Sequence, residues 1–192
     1  MIGLAETKYA LRGLLRILRF DASFINYYDR SREGALRSFW LAVPLLALFL
    51  FRLYVLRDPH DPPITIRMSA AMVIAYGINW AYFPLFLLWI ARYIEREKRI
   101  IGCIAIYNWL ISILSIFTSL PIALLAWAGM SDHLSATLDV ASLILSMVCE
   151  GYVFAICLQI PGFFAAAFVI LDFILSQILF SIADLIGHAP IF

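Results

Sequence analysis

Glu150 and Asp172 are carboxylic acids placed inside long apolar stretches, and each has polar neighbours at helical spacing. Asp139, Ser142, Ser146, Glu150 and Cys157 recur at steps of three, four and seven, as do Asn108, Ser112, Ser115 and Ser119. Ser69, Met72, Tyr76, Asn79 and Phe83 form a third stripe, and Asp172 with Ser176 a fourth. Gln177, Ser181, Asp184 and His188 form another face of the same segment as Asp172. Steps of three and four put side chains on one face of a helix. A carboxyl removed from water favours its neutral form, so Glu150 and Asp172 are expected to be protonated or to share a proton. Asn79, Asn108, Tyr76 and Tyr107 are the expected partners. Such a cluster either binds a proton or small substrate between helices or acts as interhelical glue.

A second set stands toward the other end of the same segments. Arg52 and Arg57 lie at the level of Asp139 and Asp184, and ion pairing between them lowers the cost of burying either sign. The three histidines fall on that side too: His60 within Asp58-Pro59-His60-Asp61, His133 beside Asp132, and His188 one turn after Asp184. Their spacing is not that of a ligand set, so no metal is expected. The chain has no His-Glu-x-x-His, Gly-x-Ser-x-Gly, Walker A loop or Gly-x-Gly-x-x-Gly. No catalytic residue and no cofactor follow from it, and the expectation is a protein that is not an enzyme. Cys103, Cys149 and Cys157, an odd number inside apolar runs, read as three reduced thiols.

The elements that carry these residues must be membrane helices. Of 192 residues, 64% are hydrophobic and 14% charged, against about 45–50% and about 25% in soluble domains. A net charge of +1 offers nothing to a nucleic acid. Five apolar runs, Ser38–Leu56, Arg67–Ile90, Ile100–Ala128, Ala136–Ile160 and Gly162–Ile186, each approach or exceed the length of about 20 residues that spans a bilayer. With no water to satisfy the backbone, they must be helical. The expected fold is an all-α polytopic bundle of five transmembrane helices preceded by an interfacial amphipathic helix. At about 1.5 Å per residue, Asn108 lies about 12 Å in, Glu150 and Asp172 about 15 Å, and Asn79 about 16 to 18 Å, so their stripes should converge. Pro84 and Pro121 fall well inside spans and should kink them. The uncharged junction Gln159-Ile160-Pro161-Gly162 reads as a turn between two full crossings or as a re-entrant bend.

Lys and Arg set the orientation. Seven precede the first span, four stand between Arg92 and Arg99, and three (Arg52, Arg57 and Arg67) fall on the other side. This predicts a cytoplasmic N-terminus and an outside C-terminus, with a bacterial inner membrane as the expected location. Residues 1–37 form a separate unit ahead of the transmembrane domain 38–192. Within it Leu4, Leu11, Leu14, Leu15 and Leu18 share an arc beside a stripe of Lys8, Arg12, Arg16 and Arg19, the pattern of a helix lying on an anionic leaflet.

Across residues 20–186, the cytoplasmic start, five closely spaced spans with a polar residue in most, short loops and the Tyr107-Asn108-Trp109 stretch resemble the Ypt-interacting-protein (YIP) family, bacterial members especially. That resemblance implies a role in membrane organisation or complex assembly. The long cytoplasmic domain of eukaryotic members has no counterpart here, which removes the basis for a Rab-type partner. The expected partners are the lipid bilayer and a membrane protein or a second copy of the chain. The expected function is a scaffold, assembly factor or accessory subunit. The alternative is a small proton-coupled carrier or channel using Glu150, Asp172, Asn79 and Asn108.

Overall fold

The structure, a computed structural model, describes residues 2–57, 63–93 and 95–188. Every regular element among them is helical: α1 (Leu4–Ile17), a 3₁₀ turn (Ala22–Tyr27), α2 (Arg32–Ser38), α3 (Ala42–Val55), α4 (Ile66–Tyr93), α5 (Glu97–Leu114), α6 (Leu120–Trp127), α7 (Asp132–Leu158) and α8 (Gly162–His188). Five continuous helical runs are long and apolar enough to cross a membrane: Arg32–Val55, Ile66–Tyr93, Glu97–Trp127, Asp132–Leu158 and Gly162–His188.

The first run starts before the expected boundary at residue 38. Ser31 caps α2 by accepting a hydrogen bond from the Gly34 amide at 3.0 Å, and a short 3₁₀ turn at Phe39–Leu41 leads into α3. Arg32, Glu33 and Arg37 lower the hydropathy of this stretch without lowering its helical propensity, so the helix extends beyond the apolar run. In the third run, a π turn at Ser115–Ser119 precedes Pro121. Proline has no amide hydrogen and crowds the carbonyl four residues back, and a widened turn relieves both. Pro84 lies inside the continuous α4. Gly129, at φ +96°, ends α6 in the left-handed conformation glycine adopts without strain. Gln159 takes φ +51° at the end of α7, and α8 begins three residues later. Both α7 and α8 have 27 residues, or about 40 Å, more than the hydrocarbon thickness of about 30 Å.

The α5–α6 run stands at the centre. Its most apolar window is 67% buried, against 11% for α2–α3 and 28% or less for the others. It packs against α7, α4 and α2, while α8 closes on α4 and α7. Near the C-terminal end of α8, Gly187 lets two backbones approach, since a Cβ there would lie 2.9 Å from the Met68 Cα.

The N-terminal segment docks on this bundle. Ala10, Leu14, Ile17, Phe24 and Tyr28 belong to the same buried cluster as Phe83, Leu110 and Phe154. Tyr28 lies against Gly13, where a Cβ would sit 2.5 Å from its ring, and its hydroxyl donates to the Ala10 carbonyl at 3.2 Å. Phe20 and Phe24 pack edge-on and tilted against Tyr152 of α7 at 5.2 and 5.7 Å. The expected leucine arc is thereby split. Leu14 turns into the bundle and Leu11 lies half-buried, while Leu4, Leu15 and Leu18 remain exposed. The inward face is built instead from Ala10, Gly13, Leu14 and Ile17, whose small residues allow close approach. In the basic stripe, Lys8, Arg12 and Arg19 are exposed, whereas Arg16 pairs with Asp21 at 2.7 Å.

Gly13→Leu should displace Tyr28 and lower stability by about 1–3 kcal/mol, the usual cost of overpacking, read as a lower unfolding temperature and faster trypsin cleavage at Arg12 and Arg19. The Ser23 amide and side chain, then the Arg16 guanidinium, hold Asp21 near pKa 2 against an ordinary 3.8. A lowered folded-state pKa means that its contribution is full above the ordinary value and is lost as pH falls through 2. Trypsin-resistant docking assayed after acid exposure should therefore weaken between pH 4 and 2, and Asp21→Asn should remove that part of the pH dependence.

Candidate functional site: a buried carboxyl layer and the cavities beyond it

Asp172 stands ten residues into α8, about 15 Å from its start. Helical backbone amides are already engaged, so hydrogen bonds to this carboxyl must come from side chains. Two tyrosines supply them. The Tyr82 hydroxyl of α4 donates to Oδ1 at 2.5 Å, and the Tyr107 hydroxyl of α5 donates to Oδ2 at 2.7 Å. Tyr82 also lies 2.8 Å from the Asp172 carbonyl and 3.0 Å from the Ser176 hydroxyl. Ser176 donates to Asn79 Oδ1 at 2.9 Å. A continuous polar chain thus runs from Asn79 through Ser176 and Tyr82 to Asp172 and Tyr107. Phe83, Tyr107 and Phe154 form a ring triangle, with centroids 5.4 to 5.6 Å apart, on the α4, α5 and α7 side.

Glu150 of α7 is buried as well. Among the described residues nothing donates a hydrogen bond to it. Hydroxyls adjoining a carboxyl can hold and pass a proton.

Asn108 and Tyr76 do not join this layer, which corrects the expected six-residue cluster. Asn108 donates through Nδ2 to the Ser38 hydroxyl at 2.9 Å, with both residues fully enclosed. Tyr107 and Asn108 are successive residues of one helix, about 100° apart around its axis, so they face different neighbours. Tyr76 donates to the Ala42 carbonyl at 2.7 Å. It precedes Tyr82 by six residues, about 9 Å along α4, which puts it nearer the other end.

At that end, Arg52 of α3 pairs with Asp139 of α7 at 2.9 Å. Asp184 turns to its own helix instead of an arginine: His188 lies 3.3 Å away, one turn on. Arg52, Arg57, Asp139, Asp184 and His188 nevertheless line one cavity of about 440 Å³, together with Phe49, Leu53, Leu56, Met68 and Met72. A second cavity, of about 240 Å³, shares Phe49 and Arg52 with it and reaches Tyr76 and Asn79. A third, of about 260 Å³, shares Leu56, Arg57 and Asp139 and reaches Asp132. Neither Glu150 nor Asp172 lines any of these three. The Asp58, His60 and Asp61 group lies outside the described residues.

Tyr82, Ser176 and Ser38 are the site residues that sequence reasoning left out as partners. The signal for Tyr82 was its position three residues after Asn79, hidden in the aromatic run Tyr82-Phe83-Pro84. No protein-family model, no curated protein and no solved structure matches this chain.

Removing either tyrosine hydroxyl, by Tyr82→Phe or Tyr107→Phe, should cost between about 0.6 kcal/mol, the mean for bonds inside membranes, and about 3 kcal/mol, the upper value for a charged partner. Combining Tyr107→Phe with Asp172→Leu should give a coupling energy of at least about 0.5 kcal/mol in thermal unfolding. Additive losses would mean that the 2.7 Å contact contributes nothing.

Proposed function

We propose that this chain is a five-pass integral membrane protein that is not an enzyme and works as a scaffold, assembly factor or accessory subunit. Its N-terminus faces the cytoplasm and its C-terminus the outside of a bacterial inner membrane, in keeping with the Lys and Arg balance. The YIP-like architecture agrees with a role in membrane organisation. The observation that carries the reading is the way the first span is held. Leu45 is the fully buried residue of α3, Phe49 packs against Tyr76 and Phe180 with ring centroids 5.0 and 5.5 Å apart, and three polar contacts hold the run: Ser38 with Asn108, the Ala42 carbonyl with Tyr76, and Arg52 with Asp139. Trp40, Val43 and Tyr54 are all more than 60% exposed. A span held on one side, with exposed apolar residues on another, is what a subunit offers to a membrane protein partner or a second copy.

A proton-coupled carrier or channel is the second reading. It is favoured by Glu150, a buried carboxyl that accepts no hydrogen bond among the described residues, and by Asn79, which joins the Asp172 chain to an outer-end cavity. An ionisable residue inside a membrane is by default a functional candidate.

Affinity purification in nanodiscs, with mass spectrometry of what is retained, separates the two. The scaffold reading expects a stoichiometric membrane partner or a dimer, kept by Glu150→Gln and lost by Val43→Arg. A solitary chain whose proton uptake in liposomes disappears with Glu150→Gln would replace it with the carrier reading.

A further inference from the structure

Between α2, α4 and α5 lies a cavity of about 390 Å³ whose only charged wall residue is Arg32. Phe39, Pro84, Leu85, Leu88, Ile101 and Ile104 form most of the rest, and the exposure of Leu85 (62%) marks it as open to the outer face of the bundle. Its volume falls within the range of about 300–1,000 Å³ typical of small-ligand sites. The lining runs inward from the basic end: Ile101 and Ile104 are four and seven residues into α5, about 6–10 Å, and Leu88 and Pro84 are five and nine from the end of α4, about 8–14 Å.

The one charge in the wall is positive. Arg32 has no ion pair or hydrogen bond through its side chain among the described residues, and neither has Arg30, whose methylene stem lies across Gly102 of α5 with 2.8 Å between Arg30 Cβ and the position a Gly102 Cβ would take. Asp29, next to Arg30, is held by Arg37 at 2.6 Å, and among the described residues Glu33, next to Arg32, makes no ion pair with it.

We propose that this groove binds one anionic phospholipid, its phosphate at Arg32 and Arg30 and one acyl chain along Pro84, Leu88 and Ile104. The inference rests on the five-pass reading, because only a membrane protein presents such a groove to lipid. An acyl chain needs no hydrogen bond, which suits a wall whose side chains other than Arg32 offer no donor or acceptor. Basic positions at the cytoplasmic ends of spans recognise anionic headgroups in this way.

The test is native mass spectrometry of the full chain released from detergent micelles, with dioleoylphosphatidylglycerol or dioleoylphosphatidylcholine added at equal concentration. One phosphatidylglycerol per chain should be retained, in preference to phosphatidylcholine. Arg32→Gln should lower retention about fivefold, the usual effect of one basic residue near an anionic surface. Ala81→Trp, at an exposed wall position, should abolish retention by filling the groove with Arg32 intact; Leu85→Trp repeats the test if that variant is poorly folded. Equal retention of the two lipids, retention unchanged by Arg32→Gln, or a lipid-free dimer in place of the lipid-bound chain would overturn the proposal. Alkaline carbonate extraction separates its failure from that of the five-pass reading. A chain washed from membranes refutes both, whereas an embedded chain without lipid preference refutes only the site.

Discussion

A carboxyl in the middle of apolar helices has to find its hydrogen bonds in side chains, and Asp172 finds them in two tyrosines on two different helices. This fixes more than one contact. Turning α8 by a single residue would swing Asp172 through about 100°, away from both hydroxyls, so Tyr82 and Tyr107 together set the rotation and height of α8 against α4 and α5. The ring packing of Tyr107 with Phe83 and Phe154 brings α7 against the same three-helix junction. Within a bilayer, burial itself would not draw helices together, so hydrogen bonds and close packing would carry the specificity. The polar layer is therefore the feature from which the order of the bundle is built.

The first span obeys the same rule with different groups. Most of α3 is half-buried, with Phe49 packed against Tyr76 and Phe180, and three polar contacts spread along the Arg32–Val55 run add to this packing. Asn108 and Tyr76, which reach outward from α5 and α4, serve this span and not the carboxyl layer. The polar residues of the bundle thus divide between an inner set, joining α4, α5 and α8, and an outer set that attaches α3.

The five long apolar helices were legible because length and hydropathy are local properties. The meeting of Asn79, Tyr107 and Asp172 in one layer was legible in part, since depth follows from counting residues along each helix. Direction around the helix was not. The sequence shows that Asn108 is polar on an apolar helix, but its face becomes meaningful only once α2 is known to lie on that side. Tyr82 was obscured for a related reason: in an aromatic run, one hydroxyl does not alter the hydrophobic pattern that reveals a stripe. The ion pair of Arg52 with Asp139 could be read from matching levels, whereas the turn of Asp184 toward His188 reflects an i,i+4 neighbour on its own helix competing with a distant arginine.

The N-terminal helix shows how hydropathy can point to the wrong face. Leu4, Leu11, Leu15 and Leu18 dominate any hydrophobic periodicity, yet α1 docks through the adjoining face, where Ala10 and Gly13 contribute little hydropathy. Small residues are what permit docking, because Tyr28 can lie where a side chain on Gly13 would stand. The result is a helix with three faces: a small and apolar one against the bundle, an exposed leucine one, and a basic one carrying Lys8, Arg12 and Arg19. A free amphipathic helix would use its leucines either for the membrane or for the protein. Because α1 uses its small face for the protein, its leucine and basic faces remain together on the outside. That combination is suited to a lipid surface, and docking through the third face holds the helix at a fixed height relative to the spans.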